Sequence, residues 1–586
     1  MKNLITAVLC FWASLSLAQS NFTWWKPSDS KVPVIDGQAW SDEMRDTIQR
    51  FPPRAEALVR KAVWNLSRNS AGLSIRFVSN ASQIVVRYKV TGPYNMPHMP
   101  STGVSGVDLY GLDSDGNWHW AAGKYSFKDT VQYSFSQLLP NDNYHKLGRE
   151  YRLFLPLYNS VRNLEIGVPE GSIFDVLPQR PEKPIVIYGT SIAQGACATR
   201  PGMAWTNILS RKLDRTVINL GFSGNGRLEK EAIDLINEID AKVFVLDCLP
   251  NLISPIVDKK ELQKRITESV KSIRSKHPST PILLTEHDGY TEGYLIPHRQ
   301  PLFEDANQYL RETFAQLTTE GISNLYLLPI SEINIDHEGM VDGTHPNDIG
   351  MMNYANAYEK KLREILKAPV GTLKTQIPIR QNREPGSYNW EQRHHEILSL
   401  NQTEPTKVVF LGNSITHNWG GKPLNNRIKG ADSWQKYLEP LHVRNFGFGW
   451  DRIENVLWRV EHDELDGISP EKIVINIGTN NLHLNTDQEI LEGLRLLVET
   501  VQKKQPSAKI VLLGIYPRRE QETRVNTLNK GIEVLSKSLK IGFADIGKTL
   551  LLSSGKIDEK LFSDGLHPNA NGYEALGKNL ATILKK

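Results

Sequence analysis

Between residues 72 and 166 apolar and polar positions alternate. Gly72-Leu-Ser-Ile-Arg-Phe-Val, Gln83-Ile-Val-Val-Arg-Tyr-Lys-Val, Tyr151-Arg-Leu-Phe-Leu-Pro and Val161-Arg-Asn-Leu-Glu-Ile each set every second side chain on one face, the period of a half-buried strand. Asp113-Ser-Asp-Gly116-Asn supplies a turn before Trp118-His-Trp120. With few helical runs after residue 65, residues 20–180 are expected to form an all-β sandwich. Beyond residue 180 the texture changes to short solid apolar runs separated by amphipathic stretches. Strands are expected at Pro184-Ile-Val-Ile-Tyr, Val217-Ile-Asn-Leu, Lys242-Val-Phe-Val-Leu and Pro281-Ile-Leu-Leu, with helices over 227–239, 261–276, 301–317 and 348–366. Strands alternating with helices imply a parallel sheet, and such sheets carry their chemistry at the carboxyl ends of the strands.

Those ends hold a doubled pattern. Asp342-Gly-Thr-His345-Pro-Asn recurs as Asp564-Gly-Leu-His567-Pro-Asn, each just before a helical run. An Asp three residues before a His can hold Nδ1–H while Nε2 faces a nucleophile. Each copy has a serine upstream after a strand, in Gly189-Thr-Ser191-Ile and Gly412-Asn-Ser414-Ile-Thr. Serine and histidine are 154 positions apart in the first copy and 153 in the second, which marks an internal repeat. Two α/β domains are therefore expected, over 181–368 and 386–586. Two further blocks follow strands in the same order: Asn219-Leu-Gly-Phe-Ser-Gly224 and Asp247-Cys-Leu-Pro-Asn251, matched by Asn445-Phe-Gly-Phe-Gly449-Trp450-Asp451 and Gly478-Thr-Asn480-Asn481. A backbone N–H from the first block and an Asn amide from the second, with the nucleophile's own N–H, can form an oxyanion hole.

Composition narrows the class. At 586 residues the chain exceeds one core, and a net charge of +4 with 23% charged residues describes an ordinary globular surface, not the basic stripe of a nucleic-acid binder. Residues 1–18, basic then apolar and ending Ser16-Leu-Ala18, read as a secretory signal with a periplasmic or secreted product; the run is too short for a membrane span. Without it only Cys197 and Cys248 remain, too few for a structural zinc site, and whether they bridge is left open. His394 and His395, adjacent on an expected helix, face different ways and suggest no metal. Residues 369–385, with Pro369, Gly371, Pro378 and Pro385 and no period, read as a linker. Trp118, Trp120 and Tyr94 could stack on sugars, although strand aromatics more often fill cores.

The order of blocks resembles the SGNH, or GDSL, hydrolase family, and Gly106-Val-Asp-Leu-Tyr110 resembles the GxDLY domain that precedes such esterases. The resemblance implies Ser191 and Ser414 as nucleophiles, Asp342 with His345 and Asp564 with His567 as base pairs, and Gly224, Asn251 and Asn480 as oxyanion donors. Thr190 and Leu249-Pro-Asn251 depart from the usual Gly-Asp-Ser and Gly-x-Asn. In the second copy Trp450 stands where the family has glycine. A donor there is expected to survive only at negative φ, so either Trp450 or Gly449 N–H completes that hole. The architecture is similar to bacterial sialate O-acetylesterases, which implies removal of O-acetyl groups from carbohydrate with no cofactor. Acetylxylan or pectin deacetylation, and a glycan-binding protein with inert hydrolase folds, are the alternatives.

A histidine base must be neutral to accept the serine proton. Esterase kcat/KM is therefore expected to fall as pH drops through the ordinary histidine range near about 6.5, and activity that stayed flat down to about pH 4 would contradict histidine as the base.

Overall fold

The computed structural model describes residues 21–585 except 46, 115, 140–146, 254 and 385; the expected leader, residues 1–18, lies outside the described residues. Two antiparallel sheets make the N-terminal sandwich. One orders Phe22–Trp25, Val161–Pro169, Gln83–Val90, Val131–Ser136 and Lys124–Ser126; the other orders Phe174–Val176, Ser74–Ser79, Arg149–Phe154, Asp108–Leu112 and Trp118–Ala121. The alternation read from sequence supplies the core, with Ile75, Phe77, Ile84, Val86, Tyr88 and Leu153 packed between the sheets. Of the aromatics considered for sugar stacking, Tyr94 is half-buried and packs against this core, Trp118 is half-buried, and Trp120 is exposed on an edge strand with the Arg200 guanidinium 4.4 Å above its ring.

Each hydrolase domain has five parallel strands in the order second, first, third, fourth, fifth. In the first domain these are Ile185–Gly189, Val217–Gly221, Val243–Asp247, Ile282–Thr285 and Leu325–Leu328; in the second, Val408–Gly412, Val443–Gly447, Lys472–Asn476, Lys509–Leu513 and Gly542–Ala544. The register aligns Gly189 with Gly221 and Asp247, and Gly412 with Gly447 and Asn476. The three loops that carry the sequence blocks therefore leave the sheet side by side. One expected helix is shorter than its pattern: Lys230–Ile236 replaces 227–239, because Leu228 takes a positive φ and Glu229 is extended.

The stretch expected as a linker is a packed strap. Thr375 is fully buried and its hydroxyl donates to Glu489 O at 2.7 Å, while Arg380, Gln381 and Arg383 are also buried. Polar side chains satisfied by carbonyls and carboxylates of neighbouring domains leave no apolar period, so the pattern could not reveal the packing.

All three domains meet around Asp214. Its carboxylate accepts from Arg180 at 2.8 Å, from Arg380 at 2.7 Å and from the Trp458 indole N–H at 3.0 Å. Arg380 also grips Glu150 of the sandwich at 2.9 Å, and Arg76, on the sandwich face turned away from its core, reaches Glu391 of the second hydrolase at 3.2 Å. Burial raises the Asp214 pKa, but Arg180 and Arg380 outweigh it and hold the carboxyl well below the usual range. Removing one member of such a group strands the others' charges. Asp214→Ala is expected to cost about 3 kcal/mol, the low end for a buried pair because the side chain keeps 20% exposure, and to lower the calorimetric Tm of both hydrolase domains. A transition of the second domain that did not move would show that the junction does not couple them.

Candidate active sites

Both serines begin a one-turn helix at the carboxyl end of the first strand. Thr190 caps Ser191–Gln194 by accepting from Ile192 N–H at 3.3 Å, and Asn413 caps Ser414–His417 by accepting from Ile415 N–H at 2.9 Å. A side-chain oxygen is what this position requires, which explains how Thr and Asn stand where the family has Asp.

The repeated hexapeptide builds the rest of the relay. Asp342 Oδ1 accepts the backbone N–H groups of Thr344 and His345 at 3.1 and 2.8 Å, Oδ2 accepts His345 Nδ1–H at 2.8 Å, and His345 Nε2 lies 2.9 Å from Ser191 Oγ. In the second domain Asp564 Oδ1 accepts from Leu566 and His567 at 3.0 and 2.7 Å, Oδ2 meets Nδ1 at 2.7 Å, and Nε2 lies 2.9 Å from Ser414 Oγ. Each other residue has a local task. Gly343 and Gly565 turn the loop at φ of 76° and 80°, Pro346 and Pro568 bridge back to Met340 and Phe562, and Asn347 and Asn569 cap the last helix. Burial pushes both carboxyls up, but the hydrogen bonds from the histidine rings and backbones outweigh it; Asp342 sits below the usual range and Asp564 at about 2. Ionised carboxylates fix the proton on Nδ1 and leave the Nε2 lone pair facing the serine.

The oxyanion loops are also parallel. Gln194 Oε1 accepts Ser223 N–H at 3.0 Å, and at the same offset from the other serine His417 Nδ1 accepts Gly449 N–H at 3.1 Å. Burial, then Arg393, Arg427 and Arg459, push the His417 pKa down to about 2, so its ring stays neutral and Nδ1 remains an acceptor. Gly449 N–H is therefore occupied, whereas the N–H groups of Gly224 and Trp450 have no partner among the described residues. Trp450 takes φ of 62°, beside 68° for Gly224. The expectation of negative φ is corrected: the indole does not prevent the left-handed bend, and Trp450 N–H is a free N–H at the position equivalent to Gly224 N–H. With the Asn251 amide assigned from its surroundings, Oδ1 shares the N–H groups of Asn225 and Gly226 with Phe222 O, 3.1 Å from each, and Nδ2 is left to donate; Asn480 Nδ2 spends one hydrogen on Asp451 O at 2.9 Å and keeps one.

Several contributors escaped the sequence reading. Asn219 and Asn445 brace the serine helices, donating to Ala193 O and Thr416 O at 2.7 Å each; their shared place in Asn-x-Gly-Phe was the available signal. The sandwich reaches the first site, where the His98 ring lies 5.9 Å from that of His345 and Tyr158 OH donates to Ser191 O at 3.3 Å; no local pattern announces such non-local contacts. Cys197 and Cys248 are free buried thiols rather than a disulfide. Cys197 N–H ties the serine loop to Pro346 O at 3.1 Å, and Cys248 Sγ donates to Tyr188 O at 3.5 Å.

Residues 182–363 and 410–575 each match the GDSL-like lipase/acylhydrolase family, and residues 22–174 match the N-terminus of SGNH-hydrolase-type esterases. The platelet-activating factor acetylhydrolase IB subunit alpha1 of Rattus norvegicus is 30% identical over 204 residues, 34% of this chain and 84% of that protein. Subunit alpha2 of the same organism is 32% identical over 207 residues, 34% of this chain and 85% of that protein. The crystal structure of a GDSL-like lipase from Bacteroides ovatus, 32% identical, covers 59% of this chain and 98% of its own at a TM-score of 0.54. The chain thus belongs to the GDSL-like lipase/acylhydrolase, or SGNH hydrolase, family and carries two of its esterase domains behind one N-terminal β-domain.

Proposed function

We propose that the protein is an exported carbohydrate O-acetylesterase with two working serine sites, acting on an acidic acetylated glycan such as O-acetylated sialic acid. The observation that carries the reading is the pair of Ser–His–Asp relays with identical connectivity, each 2.9 Å from histidine to serine. Serine Oγ attacks the acetyl carbonyl while His Nε2 takes its proton, and Asp342 or Asp564 steadies the imidazolium. The oxyanion accepts from Gly224 N–H and Asn251 Nδ2 at the first site, and from Trp450 N–H and Asn480 Nδ2 at the second. Histidine then returns the proton to the sugar oxygen, and water repeats the sequence on the acetyl-enzyme. Relatives named as acetylhydrolases favour a short acyl group. The export reading rests on residues 1–18.

An acidic rather than neutral glycan is favoured by the sandwich. A cavity of about 1010 Å³ there is lined by Lys26, Arg45, Arg68, Arg87, Lys89 and Arg162; Lys26 and Arg87 pair with Glu165, Arg45 with Asp42 and Lys89 with Asp129, which leaves a basic excess. Its wall at Ser160 to Glu165 follows directly on Tyr158, which touches the first serine's carbonyl. A polyanion held there loses its attraction as salt screens the charges.

Acetate release is expected from O-acetyl sialoglycans and acetylated pectin well ahead of acetylated xylan, with KM on the acidic polymers rising with salt while turnover of a small acetyl ester holds. Equal turnover of xylan at every salt concentration would defeat the acidic-glycan reading. Ser191→Ala and Ser414→Ala should each silence one site, since loss of a triad serine costs on the order of a millionfold in kcat, and only the double variant should fall to background. A single variant as inactive as the double on every substrate would mean that the other domain is a scaffold.

A further inference from the structure

The second oxyanion donor is aimed from the strap and from the first residues of its own domain. Trp450 N–H and Gly449 C=O belong to one planar trans peptide and point in opposite directions, so whatever fixes the carbonyl fixes the donor. Gly449 O accepts from Gln381 Nε2 at 2.8 Å and from Tyr388 OH at 2.7 Å, both on the strap and its continuation into the helix Trp390–Thr403. The next carbonyl, Trp450 O, accepts from Arg383 Nη1 at 3.2 Å. The loop beyond is held by the same segment, with Asp451 Oδ1 accepting from Gln381 Nε2 at 3.1 Å and Trp390 Nε1 at 2.8 Å.

The first domain does this job locally. The equivalent carbonyl, Ser223 O, accepts from Asn225 Nδ2 at 2.8 Å, and Gly224 O accepts from Arg227 Nε at 2.9 Å, both inside the same loop. Glycine adopts the left-handed bend at no side-chain cost, whereas a bulky residue holds it only where its surroundings over-determine the backbone. The second domain has the bulky residue, and it has donors that reach the loop from the strap and the entry segment.

We infer that Gln381, Tyr388 and Arg383 are positioning residues for the second active site: the strap clamps Trp450 in the left-handed conformation and aims its N–H at the oxyanion. Gly449 O, already accepting two hydrogen bonds, also polarises the shared peptide and strengthens that N–H as a donor. The clamp rests on the reading of Ser414 as a working nucleophile. It also makes the second site depend on a segment that Arg380 fastens to Glu150 and Asp214 of the other two domains.

The test uses the full chain carrying Ser191→Ala, so that the second site alone is read on a small acetyl ester. Tyr388→Phe removes one hydroxyl, and Gln381→Leu removes the other donor to Gly449 O. Each should lower kcat on the order of tenfold, and the pair up to about a hundredfold, approaching the loss of an oxyanion donor. KM and the acid limb of the pH profile should hold, because His567 and Asp564 are untouched. In a Trp450→Gly background, where the bend is free, Tyr388→Phe should cost several-fold less. Unchanged kcat in Tyr388→Phe, a loss confined to KM, or the same loss in the Trp450→Gly background would overturn the clamp. If the double variant fails to fold, the Tyr388→Phe single and its Trp450→Gly partner still decide. An inactive Ser191→Ala parent would instead count against the two-site function.

Discussion

A carboxylate and an imidazole three residues apart anchor each candidate site of this chain. The Asp342–His345 and Asp564–His567 hydrogen bonds are charge-assisted, short and local, and they set the tautomer that lets each histidine act on a serine some 150 positions away. A local pair can be preformed by its loop. The distant serine must then be delivered by the sheet, whose register brings Gly189 and Gly412 level with the strands that carry the oxyanion loops. Much else in the two α/β domains, from the Asn caps to the buried Asn219 and Asn445 braces, keeps these parts from drifting.

The same device recurs at a larger scale: a reacting group is aimed by a bond made to its far side. Aspartate does this for the imidazole, and Gln381 with Tyr388 does it for the Trp450 peptide. Two buried arginines extend it to the strands, Arg50 capping Gly221 O at 2.5 Å and Arg393 capping Gly447 O at 2.9 Å. Arg50 comes from the sandwich and Arg393 from the helix Trp390–Thr403 of its own domain, each ahead of the first strand of the sheet it serves. The sandwich and the strap are thus parts of the catalytic frame, and the two sites have come to differ in what surrounds them. His98 and Tyr158 flank the first, while Trp450 and the strap define the second.

How much of this could be read from sequence depended on the kind of signal. Alternation gave the sandwich core, because its strands bury one face against each other; apolar runs gave the first four parallel strands of the first hydrolase domain but not Leu325–Leu328, and the helix Asp348–Leu366 has the expected bounds. The relay was legible because its residues recur at fixed offsets. What stayed hidden is polar and non-local. Arg380, Gln381 and Arg383 are buried through hydrogen bonds to other domains, so they looked like a linker. The choice between Gly449 and Trp450 stayed open in the sequence because the cost of a positive φ at Trp450 is visible locally, while the contacts that hold that backbone are not. Cys197 and Cys248, near the site in sequence, proved to be separate buried thiols.

The central claim is that both relays are complete and armed. Intact-protein mass spectrometry with peptide mapping after reaction with diisopropyl fluorophosphate is the decisive measurement, since a serine activated by its base loses its proton to histidine and displaces fluoride far faster than an ordinary hydroxyl. Two complete relays require uptake of two diisopropylphosphoryl groups per chain, at Ser191 and Ser414. Uptake of one group, or of none, by folded protein would contradict it.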